Sequence, residues 1–75
     1  MTLEELIAEE LRDKPANITN ATSRENHRRW DSFAQVQLVV VLENAYGVKF
    51  SNSDIESMTS VAKIRDALQI KGVTV

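Results

Sequence analysis

Cysteine is absent from this sequence of 75 residues, so neither disulfide bonds nor a thiolate metal site can support the fold. The chain therefore has no sulfur nucleophile of its own. Aromatic residues are also scarce, with two Phe, one Trp and one Tyr. The core must be built mostly from aliphatic side chains, which favours packed helices over a β-sandwich.

Neither charge nor hydropathy gives the chain a general affinity for nucleic acid or membrane. The formal net charge of −2 provides no electrostatic reason to bind a polyanion. The longest uninterrupted apolar run, residues 38–42, is too short for a membrane span. The N-terminal segment is acidic and lacks the pattern of a secretion signal. We therefore expect a cytoplasmic protein with no membrane span and no nucleic-acid partner.

The spacing of apolar residues predicts an all-α fold, a small four-helix bundle with three main helices and one short helix. The first helix is predicted to begin at a capping box of Thr2 and Glu5 and to stop at Pro15. A long loop to about residue 30 separates the first and second helices, and loops of this length are uncommon in compact domains. Ile18 is predicted to pin this loop to the core.

A polar pair, Asp31 and Ser32, opens the most apolar helix of the chain, which is predicted to end at a left-handed Gly47. Two apolar stripes on this helix predict burial on more than one side. Asp31 is a good N-cap, and the Ser32 hydroxyl would point outward beside unpaired backbone N–H groups. A phosphate on that hydroxyl would meet the positive end of the helix dipole. Capping alone also explains such a pair.

Two shorter signals follow. A capping box of Ser53 and Glu56 predicts a third helix of only one or two turns. Thr59 or Ser60 is expected to cap the fourth helix, and Gly72 is expected to end it. No repeat, low-complexity segment or pair of strands is recognisable along the chain.

The segment WDSF at residues 30–33, followed by VQLVVVLENAYGVKF and then by SMTSVAKIRDAL, resembles the acyl carrier protein family. Members have a D-S-L step that opens the second helix, a run of the form V-E-L-V-x-x-L-E-E-x-F-x-I, and a T-x-x-D-type junction between the third and fourth helices. The resemblance covers nearly the whole chain, which is predicted to be one carrier-like domain over residues 1–75. The full set of features is more specific than the Asp-Ser step alone.

The resemblance implies that Ser32 receives 4′-phosphopantetheine from coenzyme A, with Asp31 in the surface that the transferase recognises. The arm ends in a thiol that carries an acyl group as a thioester, so the protein would be a carrier and not an enzyme. The implied partners are a phosphopantetheinyl transferase, an acyl-loading ligase or synthase, and downstream acyl-processing enzymes. A monomer is expected.

The resemblance also implies surfaces for partners and for cargo. Partner enzymes would contact Trp30, Phe33, Gln37, Val40, Val41, Glu43, Asp54, Ile55 and Glu56. Carriers of this family can shelter the acyl chain between their helices, and the lining residues here would be Phe33, Val36, Val40, Leu42, Ile55, Met58 and Val61. The sequence leaves open whether Val40 and Trp30 are buried or face a partner.

Departures from the family pattern indicate a specialised pathway. Members that serve fatty acid synthesis usually have Gly two residues before the Asp and a strongly acidic second helix. Here Arg29 occupies the Gly position, and the residues found where acids are usual are Ala34, Gln37, Asn44 and Ala45. Because charge complementarity sets partner choice, we expect a carrier for secondary-metabolite, lipid or polysaccharide tailoring.

Parts of the sequence also suit other functions. An aminoacyl or peptidyl carrier is the near alternative, and a small helical domain that docks an apolar helix face onto a protein partner is the distant one. A hydrolytic triad of His27, Asp31 and Ser32 is disfavoured, since adjacent residues at a helix start do not face each other. No metal site is expected from one His and scattered carboxylates. The basic loop residues would be solvated or would pair with the phosphate of the arm: Arg24, Arg28 and Arg29.

Overall fold

The computed structural model describes residues 1–75 and contains four α-helices and one short 3₁₀ turn. In chain order these elements are α1 (Leu3–Leu11), the 3₁₀ turn (Pro15–Asn17), α2 (Ser32–Tyr46), α3 (Asn52–Ser57) and α4 (Val61–Ile70). The predicted all-α architecture of three main helices and one short helix, with a long loop before α2, is confirmed. No helix combines the length and the hydrophobicity that crossing a bilayer requires.

Short-range capping interactions set most helix boundaries. The Glu5 N–H donates to the Thr2 hydroxyl (3.1 Å) and the Thr2 N–H donates to the Glu5 carboxylate (2.7 Å), so the first predicted capping box is confirmed. Of the two candidates for the cap of α4, the structure selects Ser60, whose hydroxyl accepts from the Lys63 N–H at 3.1 Å. Gly47 ends α2 with φ +65°, the left-handed conformation expected of it.

Two boundaries differ from the prediction. The capping box of α3 consists of Ser51 and Asp54, whose side chains each accept from the other's backbone N–H, at 3.1 and 2.9 Å. The prediction of Ser53 as the cap was wrong, because S-x-x-D and S-x-x-E overlap in this segment and Ser53 already lies inside the first turn. The first helix ends earlier than its Pro stop, since Arg12 adopts a left-handed conformation with φ 56°.

A single apolar core lies between α1, α2 and α4. Its most deeply buried aliphatic residues are Ile7, Leu11, Leu38, Leu42, Met58, Val61, Ile64 and Leu68. Ile18 is buried as well, so the prediction that it pins the long loop to the core is confirmed. The largest buried side chain is that of Trp30, which lies at the end of the loop, two residues before α2 begins. The core therefore fixes the long loop near its beginning and at its end.

One side of α2 is left uncovered. Phe33, Val36 and Val40 are 73%, 59% and 48% exposed, so the prediction that α2 is buried on more than one side was wrong for these residues. Their spacing of three and four residues places them on one helix face, and the core-facing residues Leu38 and Leu42 lie on the opposite face. No other helix covers Phe33, Val36 and Val40, which we call the exposed apolar stripe.

Substituting Gly47 by Ala should lower the free energy of unfolding by about 1 kcal/mol, because a Cβ atom disfavours the left-handed backbone. No heavy atom lies within 4 Å of the position that this Cβ would take, so the cost comes from the backbone alone. Gly47→Asn is the matched control and should lose less, since Asn tolerates this conformation better. Urea unfolding followed by circular dichroism measures the stability of both variants. An unchanged stability of Gly47→Ala would contradict the left-handed conformation assigned to Gly47.

Candidate functional site

Ser32 is the first residue of α2, and it is exposed to solvent. The N-cap is Asp31, as predicted, and its Oδ1 accepts a hydrogen bond from the Ala34 N–H at 2.9 Å. Because the Asp31 carboxylate caps the helix, the Ser32 hydroxyl is not needed for that purpose. The hydroxyl therefore stands at the positive end of α2 without a role in holding the helix together.

Arg24 is the residue that meets this hydroxyl. Its Nη2 donates to the Ser32 Oγ at 3.2 Å. The backbone of the long loop is fixed at this point, because the Arg24 N–H donates to the Thr59 carbonyl at 3.0 Å and Ser23 forms an isolated antiparallel bridge with Ser60. The long loop is thus attached to the start of α4, and the attachment holds a guanidinium beside Ser32.

A polar pocket of about 800 Å³ lies next to Ser32, and we call it the Ser32 pocket. Three cationic side chains line it: Arg24, Arg28 and Lys63. Trp30 is its only apolar lining residue, and two carboxylates, those of Glu25 and Asp31, reduce its positive charge. Lys63 was not predicted to be near Ser32, because nothing in the sequence brings α4 to the start of α2. The bridge from Ser23 to Ser60 does so in the folded chain.

Asp13 organises the beginning of the long loop. Its carboxylate accepts from the side chain of Asn17 at 2.7 Å, from the Lys14 N–H at 2.7 Å and from the His27 Nε2 at 2.9 Å. The His27 Nδ1 accepts from the Arg29 N–H at 3.2 Å, so the ring carries its proton on Nε2. The hydrogen bonds from Asn17, His27 and Lys14 lower the pKa of Asp13 to about 2. His27 therefore pairs with Asp13 and not with Ser32.

Trp30 and Gln35 form a buried polar contact, which we call the Trp30–Gln35 tie. The indole N–H of Trp30 donates to the Gln35 Oε1 at 2.6 Å. The amide nitrogen of Gln35 donates to the carbonyls of Ile55 (3.1 Å) and Met58 (3.0 Å) in the last turn of α3 and just beyond it. Every buried side-chain polar atom in the chain has a partner. The tie therefore connects the segment before Ser32 to α2 and to the end of α3.

Trp30 was placed among the partner-contacting residues with its burial left open, and the structure places it in the core. Trp30 is 2% exposed, because its ring fills the core and its N–H is satisfied inside the protein. Gln35 was absent from the predicted site, although the only Trp of the chain required a nearby hydrogen-bond acceptor. The need of the Trp30 N–H for an acceptor is the one feature of the sequence that points to Gln35. It does not single out Gln35, because several other polar residues nearby could also accept this hydrogen bond.

The remaining predicted partner residues divide into an apolar group and an acidic group. In the apolar group, Phe33 and Val40 are exposed, which answers the question left open for Val40. Gln37 and Val41 are partly exposed on α2, and Ile55 packs partly against the core. A protein surface that met α2 would therefore contact mainly apolar atoms.

Internal contacts engage most of the acidic group. Glu43 accepts from the Phe50 N–H at 2.9 Å and lies 4.0 Å from the Lys49 ammonium. Asp54 caps α3 and pairs with Lys71 at 3.2 Å. Hydrogen bonds from Ser51 and Lys71 lower the pKa of Asp54. Glu56 is exposed and has no ion-pair partner. Of the three predicted acidic contacts, only Glu56 is free for a partner.

Chemically, this arrangement suits the attachment of an anionic group to Ser32. The only side-chain partner of the Ser32 hydroxyl is Arg24, so no carboxylate or imidazole is placed to remove its proton. No group of His, Asp and Glu residues is arranged to hold a metal ion. A scan against protein-family models finds no match to this chain. The geometry of Ser32 and the sequence resemblance are therefore the two grounds on which a function is argued.

The stability that ionised Asp13 contributes should be lost in acid. Its pKa is about 2 in the folded protein and about 3.8 without these hydrogen bonds, so the contribution is complete above pH about 4 and disappears as the pH falls through about 2. Urea unfolding between pH about 5 and about 2 should show the gap between wild type and Asp13→Ala shrinking. Asp13→Asn should show the same trend. A gap that stays constant with pH would contradict the lowered pKa.

Proposed function

We propose that this chain is an acyl carrier protein, which holds acyl intermediates as thioesters on a 4′-phosphopantetheine arm attached to Ser32. The observation that carries the proposal is the state of the Ser32 hydroxyl, which is exposed at the start of α2, is not used for capping, and has Arg24 as its side-chain partner. The all-α fold and the long loop before α2 agree with what the sequence resemblance implies.

The residues around Ser32 suit a phosphodiester. Arg24 already donates to the Ser32 Oγ, and a guanidinium forms its strongest hydrogen bonds with carboxylate and phosphate oxygens. Arg28 and Lys63 line the same pocket and would add positive charge near the phosphate. When bound, the arm supplies the thiol that this cysteine-free chain lacks. The proton that Ser32 loses on attachment has to be taken up by the transferase, because Arg24 cannot accept it.

The exposed apolar stripe is the surface on which we place partner enzymes. It begins at Phe33, directly after Ser32, and continues along α2 to Val40. An enzyme that bound this stripe would have the arm at the edge of its contact. These partners comprise the transferase, a loading ligase or synthase and the downstream acyl-processing enzymes, which the protein would serve as a cytoplasmic monomer.

The charges of this surface favour a specialised pathway. Glu43 is the only acidic residue of α2, and its carboxylate is engaged by Phe50 and Lys49. An enzyme that recognises its carrier through a row of carboxylates would find none available on this helix, and charge complementarity governs partner choice. We therefore assign the chain to secondary-metabolite, lipid or polysaccharide tailoring. An aminoacyl or peptidyl carrier would use the same Ser32 with a different cargo.

The exposed apolar stripe itself favours a second candidate function. Three large apolar side chains on one uncovered helix face are suited to helix docking on a protein partner without any arm. Such an interaction domain would depend on Phe33, Val36 and Val40 and would not need the Ser32 hydroxyl. The two functions therefore make opposite predictions for a substitution of Ser32.

Incubation with coenzyme A and a broad-specificity phosphopantetheinyl transferase should add the mass of one phosphopantetheine to the wild-type protein. Ser32→Ala should gain nothing. Ser53→Ala is the matched control, since Ser53 is also exposed and its hydroxyl makes no hydrogen bond, and it should be modified like wild type. Intact mass spectrometry measures all three, after circular dichroism has established that each is folded. A folded wild type that several transferases leave unmodified would contradict the carrier function and favour the interaction domain.

A further inference from the structure

The interior of the bundle is closed beside the attachment site. Gln35 lies one turn into α2 and is 6% exposed. Its side chain spans the gap between α2 and the end of α3, where it donates to two backbone carbonyls, those of Ile55 and Met58, at 3.1 and 3.0 Å. The Trp30 indole N–H donates to the oxygen of the same amide. The polar groups that face this gap therefore form their hydrogen bonds with one another.

The residues expected to line an acyl pocket do not form one. Phe33, Val36 and Val40 point away from the core, on the exposed apolar stripe. Met58 and Val61 belong to the packed core and are about as deeply buried as any residue of the chain. The pocket that adjoins Ser32 is polar, with cationic side chains on its walls. An acyl chain on an arm attached to Ser32 would therefore contact charged groups or the outer face of α2 before it reached the apolar interior of the protein.

Entry of an alkyl chain between α2 and α3 would separate Gln35 from its carbonyl partners. An alkyl chain cannot replace those hydrogen bonds, so a buried amide, two carbonyls and the Trp30 N–H would risk losing their partners. Unpaired polar groups in an apolar interior are costly. The free energy gained by burying the methylenes of the alkyl chain is opposed by the loss of these hydrogen bonds. The hydrogen bonds therefore keep the gap between α2 and α3 closed.

We propose that the Trp30–Gln35 tie closes the core to cargo and that this protein carries acyl groups without a long alkyl chain, which remain outside the bundle. This inference rests on the proposed attachment of phosphopantetheine to Ser32. It names the class of cargo: short or polar acyl groups, aminoacyl groups included, because a long alkyl chain left in water would be exposed or would associate with the exposed apolar stripe. Gln35 acts here as a positioning residue that contacts neither the arm nor the thioester.

The test compares acetyl and octanoyl forms of the protein, each loaded directly from the corresponding acyl coenzyme A by a broad-specificity transferase. Intact mass first establishes that one acyl-phosphopantetheine is attached. Failure to attach would contradict the carrier function. Thermal unfolding of the two forms should then agree within about 1 °C. A sheltered octanoyl chain would instead raise the melting temperature by more than about 4 °C, because buried methylenes stabilise the folded state, and that result would overturn the closed core.

Amide chemical shifts locate the octanoyl chain independently. In ¹H–¹⁵N spectra, changes between acetyl and octanoyl forms should be confined to the region of Ser32 and the exposed apolar stripe. Changes at Leu42, Met58 and Val61, which are deep in the core, would place the chain inside the bundle and overturn the proposal. This measurement needs no substituted protein, so it does not depend on any variant folding.

A pair of glutamine substitutions tests the assigned role of Gln35. Gln35→Ala removes the side chain that spans the gap, and its octanoyl form should melt above its acetyl form. Gln69→Ala is the matched control, since Gln69 is an exposed glutamine of α4, and it should behave like wild type. A folded Gln35→Ala that remains insensitive to chain length would show that Gln35 does not close the core.

Discussion

The hydrogen bond between the indole of Trp30 and the side chain of Gln35 is the contact on which the arrangement around Ser32 depends. It holds the residue just before the Asp31 cap inside the core, and the same glutamine holds the end of α3 through two backbone carbonyls. Buried polar groups of this kind are stable only when all of them are paired. Because Trp30 is fixed inward, the two residues that follow it turn outward, and the Ser32 hydroxyl emerges at the surface on a rigid support.

The long loop contributes the second half of the site. Ordering so many loop residues costs conformational entropy. Three sets of contacts offset this cost: the hydrogen bonds of Asp13 with Asn17 and His27, the burial of Ile18, and the contacts of the loop with the start of α4. The last of these positions Arg24 against Ser32 and brings Lys63 into the same pocket. A short turn between α1 and α2 would have provided neither cation. The loop thus gives the exposed hydroxyl an electrostatic environment suited to a phosphodiester.

Interactions between near neighbours in the chain were largely predictable from the sequence. The caps at Thr2, Asp31 and Gly47 depend on side chains and backbone within a few residues, which the sequence displays directly. The error at α3 arose where two capping motifs overlap, so that local pattern alone does not choose between them. The outward position of the exposed apolar stripe could not be predicted, because burial depends on which helices pack against α2. Lys63 comes to line the Ser32 pocket through contacts between residues far apart in the sequence, which periodicity does not encode. Arg24 was predicted only as one of several basic loop residues.

The central claim, that Ser32 carries the arm, is tested most directly on protein isolated from cells of its source organism. Trypsin cleavage after Arg29 and Lys49 releases residues 30–49, in which Ser32 is the only hydroxyl-bearing residue apart from Tyr46. Fragmentation mass spectrometry of this peptide should find one phosphopantetheine, with or without an acyl group, attached to Ser32. A peptide that is always unmodified, or a phosphopantetheine on any other residue, would contradict the account.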